Sequence, residues 1–70
     1  MIEPERTRLE AIQAPYAKEI RLDELRFESG MRLLRDTIRE GRRFTTLDLD
    51  PNTAAQWARA MQAWADDAAS

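Results

Sequence analysis

Asp50-Pro51 divides the chain into two parts that cannot share one kind of secondary structure. A carboxylate followed by proline is a helix start: Asp50 can accept a backbone N–H of the first turn, and Pro51 suits a position whose N–H would be unpaired anyway. Behind it Ala54, Trp57, Met61, Trp64 and Ala68 recur at three- and four-residue spacing, the apolar stripe of a surface helix. Asn52, Gln56, Arg59 and Asp66 lie mostly on the other side. About 16 residues of helix span roughly 24 Å, enough to cover three strands about 4.8 Å apart.

Ahead of Asp50 the period is two. Ile20 and Leu22 alternate with Arg21 and Asp23, and Leu25 and Phe27 with Arg26 and Glu28, as in half-buried strands. The two pairs are out of phase by one residue, which a bulge near Asp23-Glu24 or a kink would absorb. Ser29-Gly30 marks a turn, Met31 to Arg39 a second run, Glu40-Gly41 another turn, and Arg43 to Leu49 a third strand in which Phe44 is out of phase with Leu47 and Leu49. A two-residue loop at Ser29-Gly30 sets Leu25 opposite Leu34. Leu25, Phe27, Leu34 and Ile38 then share one face, and Arg26, Leu33, Arg35 and Arg39 the other. The second hairpin accepts loops of two to four residues.

Residues 1–17 read two ways. Pro4 between Glu3 and Glu5, with Leu9 and Ile12 three apart, fits a short helix to about Gln13 that Pro15 ends; a frayed tail fits equally. The expected architecture is α+β: a three-stranded antiparallel meander over 18–70 with one C-terminal helix packed on one sheet face, preceded by that short helix or tail.

Seventy residues bury only about 60% of their unfolded surface, and folds this small lean on disulfides, metals or oligomerisation. The chain has no Cys and no His, so disulfides, thiolate sites, thiol nucleophiles and the commonest general base are excluded. Good packing, self-association or a partner remains. Absent cysteine fits a reducing compartment, and neither a leader pattern nor a run of roughly 20 apolar residues is seen, so the expected setting is the cytoplasm, away from membranes.

Catalysis finds little to work with. Asp23-Glu24 and Asp66-Asp67 are adjacent in sequence, so on a strand their side chains diverge, and there is no glycine-rich phosphate loop. No enzymatic activity, cofactor or metal is expected.

Charge is uneven: net −2 overall, yet residues 18–43 carry eight basic against six acidic side chains. Arg26, Arg35 and Arg39, with Arg42, Arg43 and Phe44 beside them, would make an uncovered sheet face suited to single-stranded nucleic acid, phosphates meeting guanidinium groups and bases stacking on the ring. Interleaved Glu24, Glu28 and Thr37 would instead make it a solvated charge ladder. Met31 and Leu33 on that face fit a protein interface. Trp57, Met61 and Trp64 fit either core or a seam between two helices.

Three strands, then Leu47-Asp48-Leu49-Asp50-Pro51 and a helix bearing Trp57, together with Phe27 and the arginine-rich hairpin Ile38-Arg39-Glu40-Gly41-Arg42-Arg43, resemble the last three strands and helix of the positive-cofactor-four transcriptional coactivator family. The likeness covers about residues 20–65 and implies a dimer that binds single-stranded DNA. The run from Ala14-Pro15-Tyr16 to Phe44-Thr45 also looks like small bacterial proteins of unknown function. The leading expectation is a small interaction module, a homodimer or an accessory subunit docking through the open sheet face. Next comes single-stranded nucleic-acid binding, and after it a regulator that takes a small anion at the Arg39–Arg43 turn.

Overall fold

Four strands, not three, precede the helix in the computed structural model, which describes residues 3–70. They are β1 (Glu5–Ala14), β2 (Lys18–Arg26), β3 (Arg32–Glu40) and β4 (Arg43–Leu49), followed by α1 (Pro51–Ala69). Each strand pairs antiparallel with its sequence neighbours in the order β1-β2-β3-β4.

The segment read as a short helix or a tail is thus the sheet's first strand. Its register slips between Arg8 and Glu10, so a bulge at Leu9 adds one residue. The bulge lets Leu9 and Ile12, three apart, serve the same side of the sheet, a spacing that mimics a helical turn. The part of the N-terminal reading that falls on Met1 and Ile2 lies outside the described residues. No irregularity occurs at Asp23-Glu24: β2 pairs with β3 without a slip from Lys18 to Arg26.

The hairpin joining β2 to β3 also differs from expectation. Gly30 N–H donates to the Phe27 carbonyl and Phe27 N–H to the Met31 carbonyl, both at 2.9 Å, closing a three-residue loop with Gly30 at φ +95°. That loop is one residue longer than the Ser29-Gly30 turn, so Leu25 faces Leu33 rather than Leu34 and β3 turns over relative to β2. In the next hairpin Glu40 pairs with Arg43. Gly41, at φ +62°, supplies the positive dihedral that two-residue loops demand.

Asp50 caps α1 as expected. Its carboxylate accepts the Thr53 N–H at 3.4 Å, and Pro51 opens the helix. The helix nevertheless does not cover the sheet. None of its residues is buried, and its contact with the sheet concentrates on β3. Asp50 alone, in extended conformation, links β4 to α1, which leaves no slack for the chain to double back. The longest dimension is 47 Å, well beyond the roughly 30 Å of a nine-residue strand, so α1 carries the chain past the end of the sheet.

The core is correspondingly thin. Leu25 and Leu49 are the buried apolar side chains among the described residues, and Asp23 is the largest side chain wholly removed from solvent. The radius of gyration is 14.1 Å, against about 11 Å for a compact domain of this length. Accessible surface is 5833 Å², about 1,300 Å² above the roughly 4,500 Å² that scaling gives for this mass.

Candidate functional site

Antiparallel register assigns every strand residue to one of two sheet faces, and the two differ in chemistry. One face carries a ladder of alternating charge. Arg8, Asp23, Arg35 and Asp48 are register partners in turn, one from each strand. Asp23 is inaccessible to solvent and accepts hydrogen bonds from Arg6 Nη2 at 2.8 Å and Arg8 Nε at 2.6 Å. Arg35 grips Asp48 through both carboxylate oxygens, at 2.8 and 3.0 Å, the planar two-point geometry guanidinium favours. Burial pushes the Asp23 carboxyl up, but the hydrogen bonds from Arg6 and Arg8 outweigh it and hold its pKa below the usual value. Arg35 holds the Asp48 carboxyl down by the same means, and Asp48 raises Arg35 in return.

A second cluster lies lower on the same face. Glu19 accepts from Arg21 at 2.5 Å and from Gln13 at 3.0 Å, with Arg39 3.7 Å away. The Arg21 hydrogen bond is the main reason its carboxyl is held below the ordinary range. Phe44 pairs with Arg39 and sits on this face, more than half exposed, with the Arg21 guanidinium 5.9 Å from its ring centre.

The opposite face is apolar. Ile12, Ile20 and Ile38 form one rung, Leu22 and Leu47 flank Asp36 in the next, and Leu34 and Leu49 stand in a third. Charged rungs close both ends. Lys18 meets Glu40 at 3.5 Å beside Arg43 at one end, and Arg32 hydrogen-bonds Glu24 near Arg26 at the other. Ile12 and Leu47 remain about half exposed, because no helix lies over them. A hollow of about 300 Å³ opens near the start of α1, lined by Leu9, Leu33, Leu34, Leu49 and Pro51 together with Glu24 and Arg32.

Asp36 is the buried charge on this face; Glu10, exposed on the edge strand, ends the same rung beyond Leu22. Asp36 is only 7% exposed, and its Oδ1 has no hydrogen-bond partner. Burial, with the charge of Asp48 adding to it, raises its pKa above the ordinary value. Across from the sheet, α1 presents a stripe that nothing covers: Trp57 is 40% exposed, Met61 52% and Trp64 72%. Eight of the 19 helix residues are Ala and three are charged, so little of its surface is strongly polar.

The residues singled out from sequence are only partly brought together. Arg35, Arg39 and Phe44 share the ladder face. Arg26 and Arg43 project on the apolar side, and Arg42 lies in the turn. The extra loop residue is the cause, since it inverts β3 and β4 relative to β2. Leu33 is half-buried against Leu25 on the ladder face, while Met31, at the hairpin base, is half exposed. Neither adjoins the Trp57–Met61–Trp64 stripe in sequence or register. Arg6, Arg8 and Asp36 were not among the expected site residues; for the two arginines the missing signal was the strand that carries them. Among the described residues no cluster of three or more acidic side chains could hold a metal ion, and no helix is long and apolar enough to cross a membrane.

Fold and surfaces together define a small α+β protein with an open antiparallel sheet and one C-terminal helix. The chain belongs to a family of unknown function, DUF6967, which it matches over residues 3–67. No curated protein and no solved structure matches it.

Proposed function

We propose that this protein is a non-enzymatic, self-associating module, a homodimer in which the helix of each chain lies on the apolar sheet face of the other. One observation carries the reading: a single chain leaves uncovered both an apolar sheet face, centred on Leu22, Ile38 and Leu47, and a complementary helical stripe, Trp57, Met61 and Trp64. Their dimensions agree. Nineteen helical residues run about 28 Å, close to the roughly 30 Å of β2 or β3. The surplus surface of about 1,300 Å² exceeds the roughly 800 Å² per partner that a stable interface buries. A two-fold exchange uses the same pair of surfaces twice and closes on itself.

Sedimentation equilibrium at tens of micromolar tests this. A dimer is expected, and one that Trp64→Ala returns to monomer. A monomer that melts cooperatively on its own would leave the surfaces to a foreign partner and end the homodimer reading.

The second reading is single-stranded nucleic acid on the ladder face, favoured by exposed Phe44 on the edge strand beside Arg39 and Arg21. A ring beside cations stacks bases and attracts phosphate. Against it, Arg6, Arg8, Arg21 and Arg35 already neutralise carboxylates, which leaves fewer charges to release counterions. Oligonucleotide binding across a salt series decides between the two.

A further inference from the structure

The centre of the apolar face holds a group that does not belong in an apolar contact. Asp36 lies between Leu22 and Leu47 across the sheet, with Leu34 and Ile38 flanking it on the same side of its own strand. It is 93% removed from solvent, and its Oδ1 has no hydrogen-bond partner. A buried acceptor without a donor is disfavoured, more so when it carries charge. Covering this face with a purely apolar surface would make matters worse, since the remaining solvation of the carboxylate would be lost.

We infer that Asp36 is the polar anchor of the dimer, accepting a hydrogen bond from the Trp64 indole N–H of the second copy. The inference rests on the homodimer reading and specifies how its two surfaces recognise each other. Among Ala54, Trp57, Met61, Trp64 and Ala68, the stripe residues with a side-chain donor are the two tryptophans. An indole brings its N–H into an apolar setting on a large apolar ring, so it can reach Asp36 without carrying a second charge among Leu22, Leu34, Ile38 and Leu47. Trp64 is the more exposed of the two, at 72% against 40% for Trp57, and stands farther along the helix from its own sheet. A donor matched to one acceptor also fixes where the helix stops along the face, which apolar contacts alone leave loosely specified.

The test is a double-mutant cycle on the dimer dissociation constant, read by sedimentation. Asp36→Leu removes the acceptor and leaves the indole N–H buried and unpaired, so association weakens about tenfold. Trp64→Phe weakens it comparably, the double variant is little weaker than either single one, and Asp36→Asn, which keeps an acceptor oxygen, stays within about threefold of wild type. In the wild-type dimer the Trp64 indole proton exchanges with water markedly more slowly than in dilute monomer. That measurement needs no variant and stands even if Asp36→Leu fails to fold. If the wild type dimerises but Asp36→Leu binds as tightly or more tightly, if Asp36 couples to Trp57 instead, or if the Trp64 indole proton exchanges freely, the anchor is overturned while the dimer stands. A wild type that stays monomeric at 100 micromolar, about the top of a working range for weak dimers, removes the dimer and the anchor together.

Discussion

Asp23 and Arg35 stand directly opposite each other on β2 and β3, yet each makes its hydrogen bonds with a strand on its far side: Asp23 with Arg6 and Arg8 of β1, Arg35 with Asp48 of β4. Their mutual attraction therefore joins two completed pairs across the middle of the sheet. The ladder ties both edge strands to the central two through side chains, in addition to the backbone pairing.

Removing charge from the ladder should hurt unequally. Asp23→Asn leaves Arg6 and Arg8, each about half exposed, free to return to water, and should cost about 1–2 kcal/mol. The double change Arg6→Ala with Arg8→Ala strands a buried carboxylate and should cost more. Urea midpoints of the two variants give the order, and an equal or reversed order would mean that Asp23 regains solvent when its partners go.

Acid should act on two carboxylates with opposite sign. Asp23 is held below its ordinary value of 3.8, so its stabilising contribution is complete above that pH and is lost as pH falls through the lower folded value. Asp36 is raised above 3.8: its ionisation opposes folding, and the penalty grows as pH rises from 3.8 through the folded value. In dilute monomer Asp36→Asn should raise the melting temperature at pH 7 and give no gain at pH 3. Asp23→Asn should lower it at pH 7 and converge on wild type in strong acid. Melting curves across pH 2–8 for the two variants check both limbs.

The first hairpin loop holds Tyr16 at φ +65° and Ala17 at φ +60°, conformations disfavoured for side chains with a Cβ. Ala17→Gly should raise stability by about 0.5–1 kcal/mol, seen as a higher urea midpoint with an unchanged slope. A loss would mean that Ala17 has contacts that outweigh its backbone strain.

Self-association should make the melting temperature depend on protein concentration, because only the folded chain pairs. A tenfold dilution should lower it by a few degrees in wild type and leave Trp64→Ala unmoved. Differential scanning at two concentrations suffices.

Much of this fold was legible in the sequence, and the parts that were not share one physical cause. Asp50-Pro51 marked the helix start because capping is local, and Gly41 marked its hairpin because a positive φ is local. Register is not local. The Leu9–Ile12 spacing looked helical because a bulge can only be recognised once a partner strand is known. One uncounted residue in the Phe27–Met31 loop sent Arg26 to one face and Arg35 to the other, splitting the arginine set expected to act together. The exposed stripe was visible as periodicity, but whether it meets its own sheet depends on the length of the join at Asp50, and no pattern of apolar residues encodes that.

That join has an engineering consequence. With a single residue between strand and helix, the local concentration of a chain's own helix above its own sheet is low, and in the proposed dimer the second copy supplies the cover instead. A flexible insert of about eight glycines and serines after Leu49 would reach roughly 15 Å, enough for the helix to fold back. Such a chain should close on itself as a compact monomer, with the hinge length alone having chosen between partner and self.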